Sequence, residues 1–274
     1  PQPQAVIVLL MPWAMRPMIG LWFFLVWPVV ASDTASVRRA TVEVVIDGDT
    51  VTLDSGETIR LAGINTPEIK SGQPFAALAQ QYLEQRVHNR QVLVENATDP
   101  VDPHDRTLAY LYTLDGDSLQ LALLEAGLAS AIVIAPNDRH LDEYAAAETR
   151  ARLAGKGIWG VSTYRPRHAM TMTPKDRGYG FVRGRVQRTV LGKKWLEFHL
   201  ARNFVILIQR ARWQQYFRYS PCRLDQADVV VRGWVSGKGK RLRTTISHPF
   251  MLERCANTGQ SLCLWSAAAG RLAQ

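Results

Sequence analysis

Residues 45–68 read VIDGDTVTLDSGETIRLAGINTPE. Val51–Leu53 and Thr58–Leu61 are rich in β-formers and flank Asp54-Ser55-Gly56, a hairpin turn signal. Thr41–Ile46 upstream alternates as a strand does, so this region opens with three strands. Asp47-Gly48-Asp49-Thr50 closes the first strand, and Asn65-Thr66-Pro67-Glu68 follows the third. The Asp49 carboxylate, the Asn65 amide oxygen and the Thr66 backbone carbonyl are oxygen donors suited to Ca²⁺. Asp-Gly-Asp alone is a common turn, and Glu68 beside Pro67 alone reads as a solvated loop carboxylate. Arg60 is harder to explain as surface: it stands between Ile59 and Leu61 and takes the face opposite both.

Moving outward, Phe75, Leu78, Ala79, Tyr82, Leu83 and Val87 fall on one helical face. Val92–Val94 and Leu108–Tyr112 read as strands. Ser118–Ala126 reads as a helix with Ser118 as N-cap and Gly127 at its end. Leu141–Ala154 is a further helix, followed by Ile158-Trp159 as an apolar plug. Strands, helix, strands and two helices make an α+β fold with a small barrel, not a doubly wound sheet.

The chain has 274 residues, enough for one or two domains with real cores, and its 47% hydrophobic content excludes a disordered chain. Three cysteines are too few for a disulfide scaffold, and no zinc-ligand spacing occurs. Charge is split unevenly. Beyond Tyr164 stand 21 basic and 5 acidic residues, a net of +16, and the rest of the chain is net −7. The basic half points to a polyanionic partner, most simply nucleic acid.

Residues 5–31 are interrupted by one charge, Arg16. Met15-Arg16-Pro17, the apolar Ile19–Val30 and the small-residue Val29-Val30-Ala31 form a secretory signal peptide pattern. Ala5–Ala31 is also long enough to span a bilayer, which leaves an uncleaved anchor as the alternative, with Pro28 against it. Both place the body outside the cytoplasm: periplasmic or secreted, or anchored to the membrane.

Arg165–Gly178 shows no periodicity and reads as a linker. Beyond it, Phe181–Val190, Trp195–Leu200 and Phe204–Gln209 read as strands, Ala211–Tyr219 as a short helix, and Val229–Val235 and Leu242–Ile246 as strands. That is the element order of an OB-fold, a five-stranded barrel that often binds single strands. Arg183, Arg185, Arg188, Lys193, Lys194, Lys238, Lys240, Arg241 and Arg243, interleaved with Trp195, Phe198 and Trp234, make a credible nucleic-acid-binding surface. At least half of those aromatics are expected to fill the barrel core instead. Cys255 and Cys263 are able to pair in an oxidising compartment, leaving Cys222 free.

Asp99–Arg106 precedes the strand Leu108–Tyr112, so a second arginine, Arg106, stands at a loop-to-strand junction. Two guanidiniums to clamp phosphate oxygens, a metal site and a free Glu are the parts needed to cleave a phosphodiester. VIDGDTV, RLAGINTPE, DRTLAYLY, ALLEAGLA and GKGIW follow one another in collinear order between about Ala40 and Gly160. On those motifs the run resembles the thermonuclease, or staphylococcal-nuclease-like, family. The resemblance implies a small OB-type barrel with packed helices and Ca²⁺-dependent hydrolysis of DNA and RNA. By position it implies metal binding by Asp49, Asn65 and Thr66, phosphate binding by Arg60 and Arg106, and water activation by Glu68; Trp159 matches a core position. His104 is assigned no role. Two departures stand out. Asn65 replaces a usual Asp, which weakens or retunes the metal site. Ser130–Ala135 lacks the base-stacking tyrosines expected after the ALLEAGLA helix. FVRGRV, VVVRGWV and ISHPFMLE resemble, more weakly, OB-like tails behind some bacterial thermonuclease domains.

The expected organisation is therefore a signal peptide or N-terminal anchor (1–31), a thermonuclease-like domain (40–160), a linker (161–178), a basic, mainly β OB-like domain (179–254) and a C-terminal tail (255–274). The expected activity is that of a nuclease acting on DNA and/or RNA with Ca²⁺ and a Glu-activated water. No small-molecule cofactor is expected, and no protein partner is inferable. The alternatives are a catalytically weak nucleic-acid-binding protein of the same fold, and an envelope protein whose basic half meets anionic lipid or cell-wall polymer.

Overall fold

A computed structural model of the protein describes residues 37–255. The signal-peptide or anchor reading of residues 1–31, Cys263 and all of the tail beyond Cys255 lie outside the described residues. Among the described residues no helix is long and apolar enough to cross a membrane.

The first half is built from β1 (Val37–Asp47), β2 (Thr50–Leu53), β3 (Thr58–Leu61), β4 (Ile64–Asn65), α1 (Ala76–Val87), β5 (Gln91–Val101), β6 (Thr107–Tyr112), α2 (Leu119–Glu125), β7 (Ser130–Ala131) and α3 (Leu141–Leu153). Five strands close a barrel in the order β1-β2-β3-β6-β5. β3 and β6 run parallel, and the other barrel pairs whose registers are set out run antiparallel. Alternate positions fill the inside: Val42, Val51, Leu53, Ile59, Val94 and Leu111 are fully buried. α1 packs on this core through Ala79, Leu83 and Val87. Leu78, read above as part of the same face, is exposed. α2 is capped by Ser118, whose hydroxyl accepts from the Leu121 N–H at 3.2 Å. β5 is longer than the apolar run Val92–Val94 that announces it. Glu95, Asn96, Asp99 and Pro100 hide its second half, and its pairing with β6 is irregular between Asn96 and Val101.

The second half holds β8 (Arg167–His168), β9 (Gly178–Arg185), β10 (Arg188–Leu191), β11 (Trp195–Ala201), β12 (Phe204–Gln209), α4 (Arg210–Tyr216), β13 (Asp228–Lys238), β14 (Arg241–Ile246) and β15 (Leu252–Arg254). The sheet runs β10-β11-β12-β14-β13-β9-β8, and β15 adds to β13. The strand read as Phe181–Val190 is broken at Val186-Gln187. The Val186 N–H bonds Ala227 on one side, and the Gln187 N–H bonds His199 on the other. One segment therefore pairs with both ends of the path and curls the sheet around its own core of Phe198, Phe204, Ile206, Ile208 and Leu242. β12 and β14 run parallel, as β3 and β6 do.

The linker reading needs correcting. β8 pairs with β9, and Ala169 and Met172 are buried in the second core. Their spacing has no period because short 3₁₀ turns carry them. The described residues 37–255 thus belong to one compact unit, with no tether between two independent ones.

A polar seam joins the halves. Glu148 of α3 is buried, accepts from the Ala131 N–H at 2.6 Å and pairs with Arg232 of β13 at 2.9 Å. Arg232 also donates to the Ala131 carbonyl at 3.0 Å. The Ser130 hydroxyl donates to the Tyr179 hydroxyl at 3.1 Å, and the Ala135 N–H donates to Ser247 Oγ at 3.0 Å. The aromatic-free stretch Ser130–Ala135 is therefore the strip on which the second barrel sits. Cys255 is disulfide-bonded and Cys222 is free and exposed.

Candidate active site

The turn at the end of β1 and the loop after β4 meet at Gly48. A Cβ there would stand 2.6 Å from Ala79 Cβ and 2.9 Å from Thr66 Oγ1, so only glycine lets α1 and the loop close on the turn. Across that contact the Thr66 N–H donates to Asp49 Oδ2 at 2.7 Å, and the Thr50 hydroxyl donates to Oδ1 at 3.2 Å. Asp49, Asn65 and Thr66 are all buried, and the Thr66 N–H bond ties the loop after β4 to Asp49.

Arg60 fills the centre of this group. Its guanidinium pairs with Asp49 at 3.0 Å, and donates to Asn65 Oδ1 at 3.3 Å and to the carbonyls of Leu61 and Ile64 at 2.8 and 3.1 Å. Asn65 Nδ2 in turn donates to the Thr66 carbonyl at 3.1 Å. Burial pushes the Asp49 carboxyl up to about 6, against the pull of Arg60, and Asp47 adds repulsion.

Arg106 enters from the other side. It is held by Asp102: Arg106 Nε and Nη2 lie 2.8 and 2.6 Å from Asp102 Oδ2, and its N–H donates to Oδ1 at 3.0 Å. Burial raises the Asp102 carboxyl, but these bonds and the His104 N–H outweigh it and hold it below the usual carboxylate range. The loop fixes the guanidinium in place and leaves it half-exposed.

Both arginines line one cleft of about 760 Å³. Glu68 lies outside that lining. It is exposed, its N–H donates to Gln73 Oε1 at 2.9 Å, and its carboxylate has no hydrogen-bond or ion-pair partner among the described residues. Trp159 meets Phe181 edge-on at 5.8 Å, a packing role as expected.

Of the far wall of the cleft, the sequence reading singles out Trp234 alone. Gln209, Arg212, Trp234, Thr245 and Ser247 of the second barrel close it. Nothing in the sequence marks the five as one wall, because they come from β12, α4, β13 and β14 and the segment after it.

The nine cations read as a nucleic-acid-binding surface stand in separate places, with Arg188 exposed on β10. Arg183 and Arg185 line a separate cleft of about 560 Å³, and Arg185 is committed to Asp228 through bonds of 3.1 and 2.7 Å. Between them and the first cleft lie Phe181 and Arg232, the buried middle of the seam. Lys193 and Lys194 are exposed at the β10–β11 turn, where the Lys194 carbonyl accepts from Arg210. Lys238, Lys240, Arg241 and Arg243 are exposed at and beside the β13–β14 turn. Of the interleaved aromatics, Phe198 is core, Trp195 is half-buried and Trp234 is 39% exposed.

A family model, staphylococcal nuclease homologue, matches residues 58–161. Thermonuclease of Staphylococcus intermedius is 34% identical over 122 residues, covering 42% of this chain and 72% of that protein. Endonuclease YncB of Bacillus subtilis is 33% identical over 135 residues, covering 46% of this chain and 64% of its own length, just under two thirds. Thermonuclease of Staphylococcus hyicus is 29% identical over 141 residues, 48% of this chain and 83% of that protein. The family match ends at residue 161 and leaves the second barrel outside it.

Proposed function

The chain belongs to the staphylococcal nuclease family, and from that premise we propose that it is a Ca²⁺-dependent nuclease that hydrolyses phosphodiesters of DNA and/or RNA. One observation carries the reading: Arg60 on β3 and Arg106 in the loop before β6 line one cleft, with the oxygen donors gathered behind Arg60. Binding alone does not call for a guanidinium buried against a carboxylate at a cleft wall.

The donor set fits a hard cation in chemistry, since Asp49, Asn65 and the Thr66 carbonyl offer only oxygen. It has a single carboxylate, already neutralised by Arg60, so the affinity is low. When bound, the ion would offset negative charge on the phosphate. Arg60 and Arg106 do the same from the protein side, meeting the charge as it grows on the phosphate oxygens. Glu68, exposed outside the cleft lining but two residues after Thr66, is assigned the proton of the attacking water, whose oxygen forms the new P–O bond. The ester P–O bond breaks with its electron pair on the leaving oxygen, which is protonated by solvent.

The second reading, a catalytically weak nucleic-acid binder, draws on Asn65: its amide is bonded on both ends and Arg60 occupies the donors. Incubating the full chain with DNA and RNA, with Ca²⁺ or with chelator, separates the two. Cleavage abolished by chelator supports the nuclease; strand binding without cleavage at any Ca²⁺ concentration supports the binder.

We also propose export, supported by the apolar stretch 5–31 and the disulfide at Cys255. An exported chain that begins near Ser32 by mass spectrometry would bear this out, and retention in the cytoplasm would contradict it.

A further inference from the structure

We infer that the second barrel supplies the nuclease cleft with a base-stacking platform, Trp234, and that the ligand it takes is a single-stranded polynucleotide. The inference rests on the nuclease reading above. Trp234 is the large aromatic in the lining of the cleft that holds Arg60 and Arg106. At 39% exposure it is open to solvent, while the aromatics that build the second core, Phe198, Phe204 and Trp213, are 4% exposed or less. It is not loose. Tyr179 abuts it edge-on with ring centroids 5.1 Å apart, and Tyr179 is itself tied to Ser130 across the seam. The ring is thus braced on one side and offered to the cleft on the other.

The surroundings match a strand with exposed bases. On β13 the outward positions after Trp234 are Ser236 and Lys238, and on β14 they are Thr245, Arg243 and Arg241. The pairing sets Ser236 against Arg243 and Lys238 against Arg241. From Trp234 to Lys238 is about 13 Å at roughly 3.3 Å per residue. An open sheet face therefore runs from the two arginines of the cleft, past the indole, to four exposed cations at the β13–β14 turn. In the same wall of the cleft stand Gln209 and Arg212, and between them Arg210 bonds the Lys194 carbonyl at the Lys193-Lys194 turn. Cations along a groove with an aromatic between them grip phosphates and stack a base, and stacking needs a base free of its partner strand. Paired and stacked duplex bases offer no face to Trp234, so the site selects single strands.

The test uses the full chain in chelator, so that strands are bound and not cut. Two fluorescein-labelled probes are titrated: a thymidine 12-mer, and the same 12-mer with abasic sugars at every position but the ends. Wild type is expected to bind the thymidine strand about 5- to 150-fold tighter than the abasic strand, the range that one stacked base supplies. Trp234→Ala should lose most of that preference while keeping its affinity for the abasic strand, and Trp234→Phe should keep it. Melting temperatures of both variants near wild type exclude a folding defect, as an exposed ring permits. A Trp234→Ala protein that retains the full preference overturns the inference, as does one that loses both strands equally. Wild type that cleaves strands with Ca²⁺ but shows no preference sinks the platform and leaves the nuclease standing. Wild type that shows the preference but never cleaves sinks the nuclease and leaves the platform.

Discussion

The two barrels share one wiring and put their chemistry in different places. Each has five main strands in the order one-two-three-five-four, with the third and fifth parallel. In the first, charge is driven inward at the strand ends: Asp49, Arg60 and Asn65 are buried and saturated with hydrogen bonds. In the second, the core is apolar apart from Thr244, Arg232 is buried in the seam, and the other cations of β13 and β14 stand exposed. Buried and fixed charge suits a group that must meet a transition state without reorganising. Exposed charge suits a grip that tolerates many sequences. The same topology thus hosts a reaction centre or a handle according to which face of the strand carries the charge.

The largest effect should come from the first barrel. Arg106→Lys keeps the charge and loses the planar fork that Asp102 now aims. Turnover should fall about 10³- to 10⁵-fold, by analogy with phosphoryl-transfer arginines, while strand binding in chelator holds. If this variant melts early and turns over normally, Arg106 is a loop staple and the contrast between the barrels is blunted.

Next comes the seam. Arg232→Met takes from buried Glu148 its closest cation and leaves it only Arg152 at 3.5 Å and the Ala131 N–H, a loss of up to about 3–5 kcal/mol. A clear drop in melting temperature is expected, with both barrels unfolding together. Unchanged melting would mean that the seam does not couple them. For the same reason, cutting the chain near Val161 would strip α3 of a buried partner, so point variants are the sounder probe of each barrel.

The grip should show in salt. Replacing Lys238, Arg241 and Arg243 with Ala should reduce the slope of log affinity against log salt by about 2 for a single strand. Replacing Arg183 and Arg185, on the far side of the seam, should change it far less. Equal losses would erase the distinction between the two clefts. The smallest effect is at the metal. Asn65→Asp adds a ligand charge and should lower the Ca²⁺ needed for half-maximal activity; an unchanged or higher requirement contradicts the assigned donors.

Much of the first barrel is legible because its signals are local. Strand alternation, the Asp-Ser-Gly turn and the Ser118 cap each act within a few residues. Asp49 and Thr66 are brought together across the barrel, yet a known family pattern marks both. The second barrel was legible as an OB-like element order, but its entry was not: Ala169 and Met172 reach the core from aperiodic turns. Nor was the shared cleft legible. Arg232 reads as one more cation in a basic half, and only the fold shows that it is buried against Glu148 and that Trp234, two residues on, lines the cleft.

The division of labour is tested most directly by single-turnover cleavage of a single strand across a protein titration, with two variants side by side. Glu68→Gln should lower the plateau rate about 10²- to 10⁴-fold and leave the half-saturating concentration in place. The Lys238, Arg241 and Arg243 triple alanine variant should raise the half-saturating concentration and leave the plateau. A Glu68→Gln plateau equal to wild type, or a triple variant whose plateau collapses while its half-saturation stays put, would contradict the account.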